Sequence, residues 1–135
     1  MNLFKKILLP VILSLFIFSF SNYDNDCIQF KNGHFKYKLD ARFPDLYFFV
    51  DRQDSIQIET KSGKYTKFSV KWTDDCTYEV KMIETTFNFP DSIQKIRREF
   101  PFITKIISWN KDYYIFKSSR EKTDFVVIDT MWIVH

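Results

Sequence analysis

Two cysteines, Cys27 and Cys76, are the first residues in this 135-residue chain whose type suggests chemistry. A cysteine pair can serve a metal, act as a nucleophile or close a disulfide. No Cys-x-x-Cys is present, and the two histidines, His34 and His135, have no metal-ligand spacing between them. The chain also lacks a Gly-x-Ser-x-Gly elbow and, with two glycines in all, a phosphate-cradling loop. The adjacent acids Asp74 and Asp75 fall in a polar turn, where such pairs are solvated. No catalytic residue, metal site or cofactor is therefore expected, and a small secreted enzyme is the weakest of the readings considered.

A second group has the character of a binding site. Arg52 and Gln57 flank a tight turn between two expected strands, and Trp72 and Tyr78 lie on the strands that follow. A few polar groups among aromatic rings are what orients a ligand in an otherwise apolar pocket. These four residues are the candidate ligand contacts. Glu59 shares a strand face with Gln57 but points away from Ile56 and Ile58, which predicts an outward position. The same aromatic residues would serve equally as core filling if the interior is solid.

The elements that must position these residues are mostly strands. Phe68, Val70 and Trp72 alternate with Lys67, Ser69 and Lys71, and Cys76, Tyr78, Val80 and Met82 alternate with Thr77, Glu79 and Lys81. The polar run Thr73-Asp74-Asp75 predicts the turn between them. Ile56 and Ile58 mark an earlier strand, ended by Lys61-Ser62-Gly63-Lys64. Further strands are expected over 30–39, 46–52, 103–109, 113–118 and 125–134, giving about eight. One stretch breaks the pattern: between Pro90 and Pro101, Asp91 is a fitting N-cap and Ile93, Ile96 and Phe100 share a helical face, so a short helix is expected over 91–100. The predicted fold is all-β, an antiparallel up-and-down meander closing into a lipocalin-like barrel or a strongly curved half-barrel. No repeat or linker divides it, so 22–135 reads as a single domain.

The amino terminus predicts where this domain goes. Lys5 and Lys6 precede an uncharged apolar run over 7–20, and Ser19-Phe20-Ser21 supplies a small-x-small site, the three parts of a signal peptide. Residues 1–21 are expected to be removed, with an uncleaved anchor as the alternative. A spanning helix needs about 20 apolar residues, and this run is shorter. Cys27 follows Asp24-Asn25-Asp26, the wrong context for a lipid-bearing cysteine. Export to the periplasm, the cell surface or the medium makes a disulfide between Cys27 and Cys76 the expected use of the pair.

Composition narrows the partners. Aromatic residues make up 19% of the chain and hydrophobic residues 45%, which excludes a disordered or collagen-like protein. The formal charge of +3 comes from 20 basic and 17 acidic residues; losing Lys5 and Lys6 with the leader leaves 18 against 17, about +1. A near-balanced exported domain gives no basic face for nucleic acid. The expectation is a non-enzymatic monomer that binds a small apolar ligand, with a membrane contact only through the leader before cleavage. The alternative is a protein-interaction or structural module of the cell envelope, using a sheet face or edge.

The run Cys27-x-x-Phe30-Lys31-x-Gly33-x-Phe35-x-Tyr37, then Arg52, then Asp54-Ser55-Ile56-Gln57, then Val70-x-Trp72-x-x-x-Cys76-x-Tyr78 resembles a family of small secreted, largely uncharacterised proteins of Bacteroidetes-type bacteria. The resemblance covers 27–80 and implies export and pairing of the two cysteines; it carries no catalytic residues. Some relatives bear a name borrowed from DNA topoisomerase IV, although this chain has neither a DNA-cleaving tyrosine context nor an ATP site. Gly33-His34-Phe35 is also reminiscent of the Gly-x-aromatic that closes one end of lipocalin-like barrels.

Overall fold

The computed structural model describes residues 27–38 and 46–135. The expected signal segment and its cleavage point lie outside the described residues. The chain enters through a 3₁₀ turn, Cys27–Phe30, followed by β1 (Gly33–Lys38), β2 (Tyr47–Gln53), β3 (Ile56–Lys61), β4 (Lys64–Asp74) and β5 (Thr77–Thr85). Helix α1 (Asp91–Glu99) intervenes before β6 (Phe102–Trp109), β7 (Tyr113–Arg120) and β8 (Val126–Ile133). Each strand pairs antiparallel with the next, and β8 returns to β1 through Phe35↔Ile133 and Lys36↔Trp132. The barrel is closed, and the curved half-barrel is thereby excluded. Closure leaves no edge strand to be protected.

Short turns hold the meander together for local reasons. At Ser62-Gly63 both residues have positive φ, 52° and 77°, the backbone of a two-residue hairpin whose twist matches the flanking strands. Asn110 Oδ1 accepts from the N–H groups of Asp112 and Tyr113, at 2.8 and 3.0 Å, and so folds the β6–β7 connection. The β4–β5 turn differs from the expected Thr73-Asp74-Asp75. β4 continues through Asp74, and Asp75 and Cys76 make the turn. The cause is Asp74 Oδ1, which accepts the Cys76 N–H at 2.9 Å and draws the bend two residues on. Cys76 therefore sits in the loop rather than at the head of a strand.

The helix forms where expected, with two corrections. Asp91 is not its N-cap: Pro90 holds that position in an extended conformation, and Asp91 is the first helical residue, where its charge suits the helix dipole. Ile93 also stays exposed, while Gln94, Ile96 and Arg97 are half-buried. The helix lies beside β5 and stands over one end of the barrel.

Alternation fixes what faces inward. Phe35, Val50, Phe68, Val70, Tyr78, Val80, Met82, Ile106, Tyr114 and Met131 form the buried core together with Cys27 and Phe30 of the 3₁₀ turn. A register shift between Ile106 and Ser108 sends Ile107 and Ser108 both outward, and it turns Trp109 back to share the inner face of Tyr114. At the start of β1, Gly33 has φ 145°, and a Cβ there would come within 3.0 Å of the Phe35 ring. Glycine at this point lets that ring fold back under the chain.

Candidate functional site

The barrel has two unlike ends. One carries the 3₁₀ turn and the β2–β3, β4–β5 and β6–β7 turns; the other carries α1 and the β3–β4 and β7–β8 connections. At the first end the Cys27–Cys76 disulfide, with Cα atoms 5.1 Å apart, ties the entering chain to the β4–β5 turn. The Cys76 carbonyl accepts the Ile106 N–H at 2.8 Å, which carries the tie across to β6. Phe30 is thereby pressed into the lumen, 4.8 Å from the Tyr114 ring and 6.2 Å from Trp109. The turn acts as a plug.

Beneath the plug lies Arg52, only 1% exposed. Its Nε donates to Gln57 Oε1 at 2.8 Å, its Nη1 to the Phe30 carbonyl at 2.8 Å, and its Nη2 to the hydroxyls of Tyr78 and Tyr114 at 3.1 Å each. Its cationic carbon also stands 4.6 Å from the Tyr78 ring centroid, 5.1 Å from Phe35 and 6.0 Å from Trp72. Only the planar five-donor fork of arginine reaches these acceptors at once. Burial opposes the charge, but Tyr114 and Tyr78 more than offset that, and the guanidinium is held above its ordinary range. Burial likewise lifts the Tyr78 hydroxyl well above the usual phenol range, with Arg52 pulling against it and Tyr114 adding to the rise. At neutral pH this is a fixed cation, suited to holding groups in place.

The polar chain continues away from the plug. Gln57 Nε2 donates to Glu59 Oε1 and the Tyr37 hydroxyl to Glu59 Oε2, both at 2.9 Å. Glu59 therefore faces the lumen, which corrects the outward position expected from the sequence. Residues directly opposed across a strand pair share a face. β2 turns Val50 and Arg52 inward, and the register Val50↔Glu59 and Arg52↔Gln57 forces Gln57 and Glu59 in beside them. Ile56 and Ile58 are left on the outer face, half-buried. Burial raises the Glu59 carboxyl above its ordinary range, against the lowering effect of its hydrogen bonds from Tyr37 and Gln57 and of the Arg52 and Arg97 charges. Burial and then Glu59 raise the Tyr37 phenol well above its own.

All four residues expected as ligand contacts thus meet at the plugged end. Gln57 and Tyr78 bond Arg52, and Trp72 packs 4.6 Å from Tyr78. Trp72 Nε1 is buried with no hydrogen-bond partner among the described residues. Sequence reasoning missed three participants. Tyr114 is 62 residues from Arg52, the Phe30 contribution is a backbone carbonyl with no residue-type signal, and Tyr37 reaches Glu59 from the neighbouring side of the barrel. Alternation from Gln57 would have found Glu59 had the isoleucines not suggested the opposite face.

Toward the helical end the lumen changes. Inward residues there are of two kinds: Thr66, Met82, Thr104 and Ser118 are buried, while Tyr37, Phe48, Glu59, Phe102, Phe116 and Asp129 are half-buried. Tyr37 stacks on Phe48 at 5.4 Å, and Phe48, Phe87 and Phe89 follow as a line of rings 5.7 to 5.8 Å apart. Arg97 lies 4.3 Å over Phe89, and Arg120 lies 3.8 Å over Phe102. His34 and His135 sit outside this region, each exposed and facing a single aspartate, Asp51 at 3.5 Å and Asp112 at 3.8 Å. Among the described residues no group of three or more His, Cys, Asp and Glu side chains converges on a metal-sized site, and no helix is long and apolar enough to cross a membrane.

Comparisons with protein-family models, curated proteins and solved structures find no match for this chain.

Proposed function

We propose that this protein is a non-enzymatic, exported β-barrel domain that binds a small, largely apolar ligand through the helical end of its lumen, in the bacterial envelope. The observation that carries this reading is the asymmetry of the barrel. Phe30 and the Arg52 cluster fill one end, while at the other the inward-facing rings of Tyr37, Phe48 and Phe102 are not fully buried. A barrel of eight strands stands at the boundary between filled and hollow. On this reading Arg52, Gln57, Trp72 and Tyr78 are the floor of the site, and Tyr37, Phe48 and Phe102 are its walls. Glu59 and Tyr37 supply the few polar groups that orient a ligand. The expected signal sequence and the disulfide support export, since disulfides persist in oxidising compartments.

Native mass spectrometry of protein recovered from its own host tests the proposal. A co-purified small molecule that raises the melting temperature when added back is the expected result. Absence of any such molecule, together with no shift across a panel of apolar ligands, would refute it.

A second reading, an interaction module of the envelope, is favoured by one surface. Val126 and Ile128 on the outer face of β8 are 58% and 63% exposed, with Trp132 further along the same strand and Phe125 just before it. Exposed apolar patches of this kind often mark contact sites. Crosslinking in intact cells separates the two readings, because a module traps one dominant protein and a carrier stays monomeric.

A further inference from the structure

Two arginines at the helical end have more donors than acceptors. Arg97 Nε, Arg120 Nε and Arg120 Nη2 are buried, and none has a hydrogen-bond partner among the described residues. A buried donor without an acceptor is destabilising, more so when it carries charge, so three in one region mark a place where an acceptor belongs. The Glu59 carboxylate takes hydrogen bonds from Gln57 and Tyr37, and none of these three arginine donors bonds to it. Asp129, on the inner face of β8, turns Oδ1 to the Thr130 N–H at 2.7 Å.

The two guanidiniums border the lumen. Arg120 ends β7 on its inward face and is paired in register with Phe102, the ring it covers. Arg97 is in the last turn of α1, and its charge is felt at Tyr37 on β1, Glu59 on β3 and Arg120 on β7. Helix α1 leads directly into β6, whose first residue, Phe102, is the ring that Arg120 covers, so both arginines belong to the same end of the barrel. Burial and the nearby Arg97 charge hold Arg120 below its ordinary range. Two neighbouring cations with unmatched donors call for an anion, and guanidinium forks fit the planar or tetrahedral oxygens of carboxylate and phosphate. The rings beside them, Phe89 and Phe102 with Phe125 at 5.4 Å, offer an apolar surface continuous with the site.

We propose that Arg97 and Arg120 form an oxyanion site at the mouth of the barrel, which takes the carboxylate or phosphate head of an amphiphile whose apolar tail lies against the aromatic lumen. This rests on the ligand-binding reading above and narrows its ligand to an anionic amphiphile.

Titration calorimetry of the purified protein with dodecanoate, dodecyl phosphate and dodecanol tests it. The tails are identical, so any preference belongs to the head. At least one anion is expected to bind roughly tenfold or more tightly than the alcohol, the scale of one charge-assisted hydrogen bond, and the tighter anion identifies the head. Arg97→Gln and Arg120→Gln should each reduce that preference, and the double variant should abolish it. If the double variant does not fold, as judged by circular dichroism, the single variants carry the comparison. Equal binding of all three ligands overturns the oxyanion site but leaves an apolar carrier standing. An anion preference undiminished in both single variants overturns the assignment to these arginines. Failure of all three ligands to bind overturns the carrier reading and this proposal with it.

Discussion

Arg52→Met offers the most direct measure of what the interior cluster contributes. Methionine fills much of the same volume and can make none of the four hydrogen bonds that Arg52 donates inside the barrel. Charge-assisted bonds contribute about 1.5–3 kcal/mol each. Against that loss stands relief from holding a cation out of water, a penalty of several kcal/mol. The acceptors decide which effect wins. The hydroxyls of Tyr78 and Tyr114 are 3.2 Å apart and can satisfy one another. The Phe30 carbonyl and Gln57 Oε1 lose the donor that now serves them, at about 1–3 kcal/mol each. The net expectation is a loss of about 3 kcal/mol, which lowers the melting temperature by roughly 12 °C for a domain of this size. Urea unfolding followed by tryptophan fluorescence and calorimetric melting both read it. A companion cycle localises the effect: Tyr114→Phe should cost about 1 kcal/mol alone and markedly less in the Arg52→Met background, since contacting residues are not additive. A loss below about 1 kcal/mol, or a gain, would refute the view that Arg52 holds the plug to the barrel wall.

The remaining predictions concern the tie and the buried acid. Replacing Cys27 and Cys76 together by serine opens a loop with a sequence separation of 49 and should cost about 4 kcal/mol on the loop-entropy model; non-reducing peptide mapping of the wild type should show the bridge, and equal urea midpoints for the two proteins would contradict it. Glu59 has a folded-state pKa raised above 4.5, so the folded protein binds its proton more tightly than the unfolded chain does. Its stabilising contribution is therefore full below about pH 4.5 and is lost as pH rises through the folded value. Glu59→Gln should remove that component, so the stability of wild type relative to the variant should fall as pH is raised from 4 to 8, and parallel curves would show that the carboxyl does not titrate in this way.

Much of the architecture was legible in the chain because strand signals are local. Phe68, Val70 and Trp72 alternate with lysine and serine, the connection at Ser62-Gly63 is a hairpin pair, and Pro90 and Pro101 bracket the helix. These are preferences of neighbouring residues for one backbone geometry, and a meander of adjacent strands adds little beyond them. The site was legible only in part. Arg52, Gln57, Trp72 and Tyr78 stood out by type, and they do lie together. The faces of β3 were misread for a physical reason. Hydrophobicity favours Ile56 and Ile58 as the inner pair, but the register with β2 gives that place to Gln57 and Glu59, whose polar atoms find partners there.

The sequence by itself determined an aromatic, strand-rich domain with two cysteines and one helix, because each of these is written in residues close to one another. Tertiary structure alone decided that β8 closes on β1, that the 3₁₀ turn plugs one end, and that Tyr114 and the Phe30 carbonyl answer Arg52. It also decided that three guanidinium donors of Arg97 and Arg120 are buried with no acceptor among the described residues. Closure sets a whole ring of registers at once. That ring brings residues as far apart as Arg52 and Tyr114 within 3.1 Å, a proximity no local pattern encodes.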